Sequence, residues 1–260
     1  MKISIIIPAH NEEKRIRKTL EEYQKFFKNL KKQRKVDFEI IIVINDTIDK
    51  TEEIVKEFSE KHSEIKFINI NERGKGLAII RGFKDSLKRK NDLIGFVDAD
   101  MATTPEEFYK LITNLGRYDG IIASRAKQGA VVKMSLVRKI THRGFNFLVR
   151  SLFLINYKDT QCGAKLFKRK VIEKISNELR LTQWAFDVNL LYLCKKKGYK
   201  IKEYPTIWRN ANNSKIISLI RTTMQMFFGA IRLRSIYSPF EHLLTPLRPI
   251  VHMGDKWINK

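Results

Sequence analysis

The chain opens on an apolar, mostly β-branched run, Ile3 to Ile7, that stops at Pro8. A run of that composition reads as a buried strand. Asn11, followed by Glu12 and Glu13, has the make-up of a helix N-cap and first turn, and apolar spacing carries a helix to about Leu30. The pattern then repeats. Phe38 to Ile44 is a second strand, and a helix capped by Asp49 or a neighbour runs to about Ser63. Ile65 to Ile70 is a third strand, followed by a helix from Leu77 to about Lys90. A fourth strand starts at Leu93 and ends in Asp98-Ala99-Asp100. Thr104-Pro105-Glu106-Glu107 then starts another helix, with Thr as cap, Pro at N1 and Glu at N3. Four strand–helix alternations at this spacing predict an α/β fold with parallel strands.

The second half is less regular. It predicts a strand at Asp119–Ala123, a helix from Ser135 to about Phe153, and a turn at Asp159–Gly163 leading into a strand at Ala164–Phe167. An amphipathic helix follows at Trp184–Lys197, then a strand at Tyr199–Glu203. Ile216–Leu233 mixes Ile, Leu, Met and Phe with arginines at its edges, which predicts a helix lying in a membrane interface. The expected division is a catalytic domain over 1–210 and an amphipathic, membrane-interface segment over 211–260. No apolar run reaches eighteen residues, so no spanning helix is expected. The apolar run near Met1 is too short for a secretory leader.

An open parallel sheet binds its ligands beyond the carboxyl ends of the strands. Asn11, Asp46, the Gly74-Lys75-Gly76 loop and the Asp98/Asp100 pair all fall at such ends, so four polar clusters are expected to face one crevice. As residues i and i+2 of a strand, Asp98 and Asp100 would point to one side and share a hard cation, Mg²⁺ or Mn²⁺.

Charge adds a partner. The net charge of +23 implies an anionic partner. No acid occurs from Gly120 to Lys158, while Arg125, Arg138 and Arg143 do; a second acid-free stretch runs from Tyr204 to Phe240. A nucleic-acid-binding protein is the alternative that charge alone would support, but no helix-turn-helix, zinc or RRM signature occurs, so no specific nucleic acid is expected. Cys162 and Cys194 have no metal spacing and read as buried thiols. The histidines are scattered and read as structural or surface residues.

The ordered set Ile5-Ile6-Ile7-Pro8-Ala9-His10-Asn11-Glu12-Glu13, Gly74-Lys75-Gly76, Asp98-Ala99-Asp100, Ser124-Arg125, Asp159 to Phe167 and Trp184-Ala185-Phe186-Asp187 resembles the family 2 glycosyltransferases. The Gln161-Cys162-Gly163 and Trp-x-Phe-Asp blocks are most similar to the dolichyl-phosphate glucosyltransferase branch. The resemblance implies a GT-A fold, a Rossmann-like open mixed sheet flanked by helices, with a C-terminal amphipathic helical appendage. It implies donor contacts from Pro8, Asn11, Glu12, Asp46, Lys75 and Asp98, and metal ligation by Asp98 and Asp100. It assigns the acceptor phosphate to Arg125, Arg138 and Arg143, with Asp100, Arg125 and Arg138 as the catalytic group.

The implied reaction is inverting, metal-dependent hexose transfer from a nucleotide sugar to polyprenyl or dolichyl phosphate at an anionic membrane surface, on its cytoplasmic face. UDP-glucose is the favoured donor and GDP-mannose the alternative. A phosphomonoester has a second pKa near ~6, so its oxyanion needs no general base. Three departures from the family pattern stand out: Asn45-Asp46-Thr47-Ile48 in place of Asp-Asp-Gly-Ser, Ala102 where a glutamine often follows the acid pair, and Asn189 where a glutamate is usual.

Overall fold

The computed structural model describes residues 1–179, 185–209 and 216–237, with side chains between 209 and 223 left aside. The first strand, β1 (Lys2–Ala9), runs through Pro8 instead of stopping at it. The strand β4 (Leu93–Phe96) lies beside it only from Ile3 to Ile6. Beyond that point β1 has one free edge, where the missing N–H of proline is tolerated. The helix α1 (Ile16–Lys32) starts later than the Asn11 cap would require, with Arg15 at its N-cap. Asn11 instead takes a left-handed conformation at φ 53°, and its side-chain oxygen accepts from the Ile48 N–H at 3.0 Å. It ties two loops together and caps no helix.

The elements β2 (Asp37–Asn45), α2 (Thr51–Lys61), β3 (Ile65–Ile70) and α3 (Lys75–Leu87) complete the parallel half. Asp49 accepts from the Thr51 N–H at 3.0 Å, as its place before α2 predicts. The helix α4 (Pro105–Asn114) carries the expected Thr104 cap on the Glu107 N–H. Then come β5 (Gly120–Ser124), β6 (Val131–Lys133), α5 (Leu136–Phe153), β7 (Lys165–Lys168), α6 (Arg169–Ile175), α7 (Phe186–Lys196), β8 (Ile201–Pro205), β9 (Ile207–Arg209) and α8 (Ile216–Ile236).

The main sheet has the order β3-β2-β1-β4-β7-β5-β8, in which only β7 is antiparallel to its neighbours. A small parallel pair, β6 with β9, stands apart. Alternate residues of β1 serve opposite faces. Ile3, Ile5 and Ile7 pack with α1, α2 and α4, and Ile6 packs with α3 and α7. A third cluster joins Phe145, Val149 and Phe153 of α5 to Ala230 and Leu233 of α8. The last helix is thus packed along one side onto α5. Both cysteines are buried free thiols. Among the described residues no helix is long and apolar enough to cross a membrane.

Strand direction positions the site. The parallel strands β1, β2, β4 and β5 all deliver their carboxyl ends to one edge. Because β7 runs the other way, the residues just before it, Gln161 to Gly163, reach the same edge.

Candidate active site

A cavity of about 930 Å³ opens at that edge. Its acidic wall is the loop after β4. Asp98 and Asp100 lie beyond the strand, on a turn that continues through Met101 at φ 59°. The strand-alternation argument for their convergence is therefore incorrect; a turn brings both into the cavity. The loop is held from behind by α1. Thr19 Oγ1 donates to the Ala99 carbonyl at 2.6 Å, and Tyr23 Oη donates to the Thr103 carbonyl at 2.9 Å. Asp98 meets Lys75 Nζ at 2.5 Å, and Asp100 accepts from the Ala102 N–H at 3.0 Å. A Cβ on Gly163 would fall inside the Asp98 carboxylate. Only glycine fits there.

The electrostatics of this wall fit a cation. Burial, and then the charge of Asp98, push the Asp100 carboxyl above its ordinary range despite the Ala102 N–H and Lys75. Burial also raises Glu12, with Asp100 and Asp98 adding to it against Arg15. Burial is the strongest influence on Lys75 and would lower it, but the charges of Asp98, Asp187 and Asp100, with the Asp98 hydrogen bond, together raise the ammonium. Crowded carboxylate oxygens of this kind are hard ligands for Mg²⁺ or Mn²⁺. Among the described residues no cluster of three ligating side chains exists, so the rest of such a shell falls to other oxygens.

The basic wall comes from β5, α5 and β9. Arg125 grips the fully buried Asp159 through Nε at 2.8 Å and Nη2 at 2.9 Å, and its backbone N–H donates to the same carboxylate at 2.8 Å. Burial would raise Asp159, yet the Arg125 charge and hydrogen bonds, with help from His142, hold its carboxyl well below the ordinary range. His142 Nε2 lies 3.0 Å from Asp159 and lines the cavity. The sequence reading of the histidines as structural or surface residues did not single it out as a cavity residue. Arg125 and Arg138 both lie over the ring of Trp208, at 5.4 and 5.2 Å from its centre.

A third cluster closes the cavity below. Lys165, fully buried, donates to Asp187 at 2.6 Å and to the Cys162 carbonyl at 2.6 Å. Asp187 therefore supports a lysine, and it also faces the cavity. Asn189 accepts from Tyr237 Oη at 2.8 Å, which ties α7 to α8.

Of the residues expected at the site, Pro8, Glu12, Lys75, Asp98, Asp100, Arg125 and Arg138 line the cavity. Three do not. Asn11 and Asp46 sit outside it on exposed loops, Asp46 at φ 49°, while the neighbouring Asn45 reaches in. Arg143 is exposed on the outer side of α5. Trp184 falls outside the described residues. His10, Asn45, His142, Gln161, Asp187 and Trp208 also line the cavity. Of these, His10, Gln161 and Asp187 lie in blocks that carry the family resemblance and Asn45 in a departure from it, while His142 and Trp208 carried no signal in the sequence.

An open mixed sheet whose strand ends present an acid pair on one wall and arginines on the other defines a GT-A glycosyltransferase. Comparison with known proteins agrees. The profile of Glycosyl transferase family 2 matches residues 4–176. A dolichyl-phosphate beta-glucosyltransferase of Dictyostelium discoideum is 34% identical over 90% of this chain and 74% of its own length. The Homo sapiens protein of the same name is 30% identical, over 83% of this chain and 69% of its own length. In fold, the chain is similar to glucosyl-3-phosphoglycerate synthase of Mycobacterium tuberculosis, solved with Mn²⁺, UDP and phosphoglyceric acid. That match has a TM-score of 0.66 at 17% identity, over 92% of this chain and 80% of that one. The chain belongs to glycosyl transferase family 2 and is a glycosyltransferase.

Proposed function

We propose that the protein transfers glucose from UDP-glucose to a polyprenyl or dolichyl phosphate, with inversion at the anomeric carbon, to give a lipid-phosphate sugar. The observation that carries this reading is the pairing of the Asp98/Asp100 wall with the Arg125/Arg138 wall in one cavity. A nucleotide-sugar diphosphate and an acceptor phosphate repel each other, and each wall offsets one of them. Asp98 and Asp100 would hold Mg²⁺ or Mn²⁺ on the donor diphosphate. Such an ion supplies charge neutralisation to the leaving nucleotide. Pro8, Glu12 and Lys75 border the donor side. The amide nitrogen of Gln161 is buried in the cavity wall with no hydrogen-bond partner among the described residues, placed to donate to an oxygen of either substrate. Arg125, whose Nε and Nη2 bond to Asp159, and Arg138 both line the acceptor side, where they would hold its phosphate. Glucose is favoured because the dolichyl-phosphate glucosyltransferases share most of this chain's length.

The lipid acceptor requires approach to a bilayer, and α5 offers the surface. Leu136, Ile140 and Phe147 are 70–76% exposed and recur at one- and two-turn spacing, so they form one stripe, and Leu154 just past the helix end is exposed as well. Lys139, Arg143 and Arg150 stand exposed around them. On α8, Met224, Phe227 and Ile231 are exposed as well. Apolar burial flanked by bases suits an anionic leaflet, here the cytoplasmic one, at about 1 kcal/mol per base. The surface expected from Ile216–Leu233 alone thus extends to α5, and Arg143 belongs to it and not to the acceptor site. Within the segment expected from 211 onward, the described part of α8 adds to this face.

The test offers radiolabelled UDP-glucose, GDP-mannose and other nucleotide sugars with Mn²⁺ and polyprenyl phosphate in vesicles. Label from UDP-glucose passing into organic solvent is the expected result. Label from GDP-mannose alone would reassign the donor, and no lipid label from any donor would defeat the reading.

A further inference from the structure

The two arginines of the basic wall differ in duty. Arg125 is turned inward, with Nε and Nη2 committed to Asp159. Arg138 is only partly buried, on the first turn of α5, where Ser135 caps its backbone N–H. Two guanidiniums brought this close repel each other, and burial together with the Arg125 charge weakens the hold of Arg138 on its proton. What they share is the Trp208 ring. An indole face attracts a guanidinium electrostatically and by stacking.

Trp208 is itself held in place. It is 7% exposed and lies on β9, whose start is fixed by the buried Glu107. That carboxylate accepts from the Ile207 N–H at 2.8 Å and from Thr206 Oγ1 at 3.1 Å. Glu107 stands in the first turn of α4, the helix that follows the acid-bearing loop. The ring is therefore keyed to the same element that ends the opposite wall.

We infer that Trp208 is a positioning residue for the acceptor phosphate: its ring fixes the Arg138 guanidinium beside the anchored Arg125, so that the phosphate-binding wall exists before the acceptor arrives. The inference rests on the reading of this cavity as the site of a phosphate-bearing acceptor. Without the ring, Arg138 keeps its charge but loses the stacking that helps to direct it. Acceptor binding then weakens while donor binding does not.

Calorimetry on the full chain tests this with two probes, a water-soluble short-chain prenyl monophosphate and UDP-glucose with Mn²⁺. Trp208→Leu should weaken the prenyl phosphate roughly 2- to 30-fold, the span from an exposed to a desolvated cation–π contact. Trp208→Phe, which keeps an aromatic face, should recover most of that loss. Binding of UDP-glucose should change less than about twofold, since no contact to that wall is altered. Unchanged prenyl-phosphate binding in W208L, a parallel loss of both ligands, or no prenyl-phosphate binding by the wild type would overturn the inference. If W208L does not fold, Arg138→Lys decides: the charge stays, the planar stack goes, and undiminished affinity overturns it. Lipid transfer by the wild type is measured alongside. Its absence defeats the functional reading alone, whereas intact transfer with unaltered W208L binding defeats only the role of Trp208.

Discussion

Replacing Gly163 by alanine adds one methyl group and should disable the enzyme without unfolding it. The new Cβ would overlap the Asp98 carboxylate, lying 2.4 Å from its Cγ and 3.0 Å from its Oδ1. Its Oδ2 overlaps most, and ordinary contact begins more than about 1 Å further out, so the Asp98 side chain must swing away by at least roughly that distance and leave Lys75. Displacing a substrate-positioning group by about 1 Å costs on the order of 10²-fold in rate. Stability should change far less. The Asp98–Lys75 pair is about a third or more exposed on each side, and such pairs contribute at most about 1 kcal/mol. In a chain of this size that is a shift of only about 2–4 °C in Tm. The assay is kcat/KM for glucose transfer together with Mn²⁺–UDP affinity and a thermal melt. Wild-type kcat/KM in G163A would refute the placement of Asp98 against Gly163. A collapse of Tm would show instead that the glycine serves the fold.

Asp159→Asn should cost about 3–5 kcal/mol, because it leaves the buried Arg125 guanidinium without its counter-charge. The pH dependence has a definite sign. The folded-state pKa of Asp159 is depressed, so between that value and the ordinary aspartate value near ~3.8 the unfolded chain binds more protons. The stabilisation is complete above the ordinary value and is lost as pH falls through the depressed one. Urea titrations across that acid window should show the slope in the wild type and lose this part of it in D159N; identical slopes would contradict it. On the outer face, Ile140→Glu with Phe147→Glu removes two large side chains from the proposed membrane stripe, each worth ~1.5–3 kcal/mol when buried. Co-sedimentation with anionic vesicles should fall at least about tenfold, and unchanged binding would exclude α5 as the docking face. These substitutions are a cleaner test than deleting 214–260, because Met226 of α8 lines the cavity itself.

Much of this was legible in the sequence, for definite reasons. Strands β1, β2 and β4 are mostly apolar runs, β3 is partly alternating, and Thr104 is a cap whose side chain bonds as its position predicts. The convergence of Asp98, Asp100 and Lys75 followed from their lying at strand ends, whereas Asn11 and Asp46, read in the same way, fall outside the cavity. What could not be read depends on contacts distant along the chain. Asp159 lies 34 residues from Arg125, and Glu107 lies 100 from the backbone group it holds. Neither pairing leaves a periodic trace. The reversal of β7 is equally silent in spacing, yet it brings Gln161 and Gly163 to the site. Asn11 resembles a helix cap in composition, but Asn also tolerates positive φ, and the loop geometry made the second use of it.

The charge-offset reading depends most directly on Asp100. Burial and Asp98 already oppose its ionisation, so removing its charge should leave the apoprotein at least as stable as the wild type. The decisive measurement is label transfer from UDP-glucose to polyprenyl phosphate by Asp100→Asn in saturating Mn²⁺. We expect a loss on the order of 10²-fold or more with the thermal midpoint held or raised. Transfer at the wild-type rate would contradict a cation held by this acid pair.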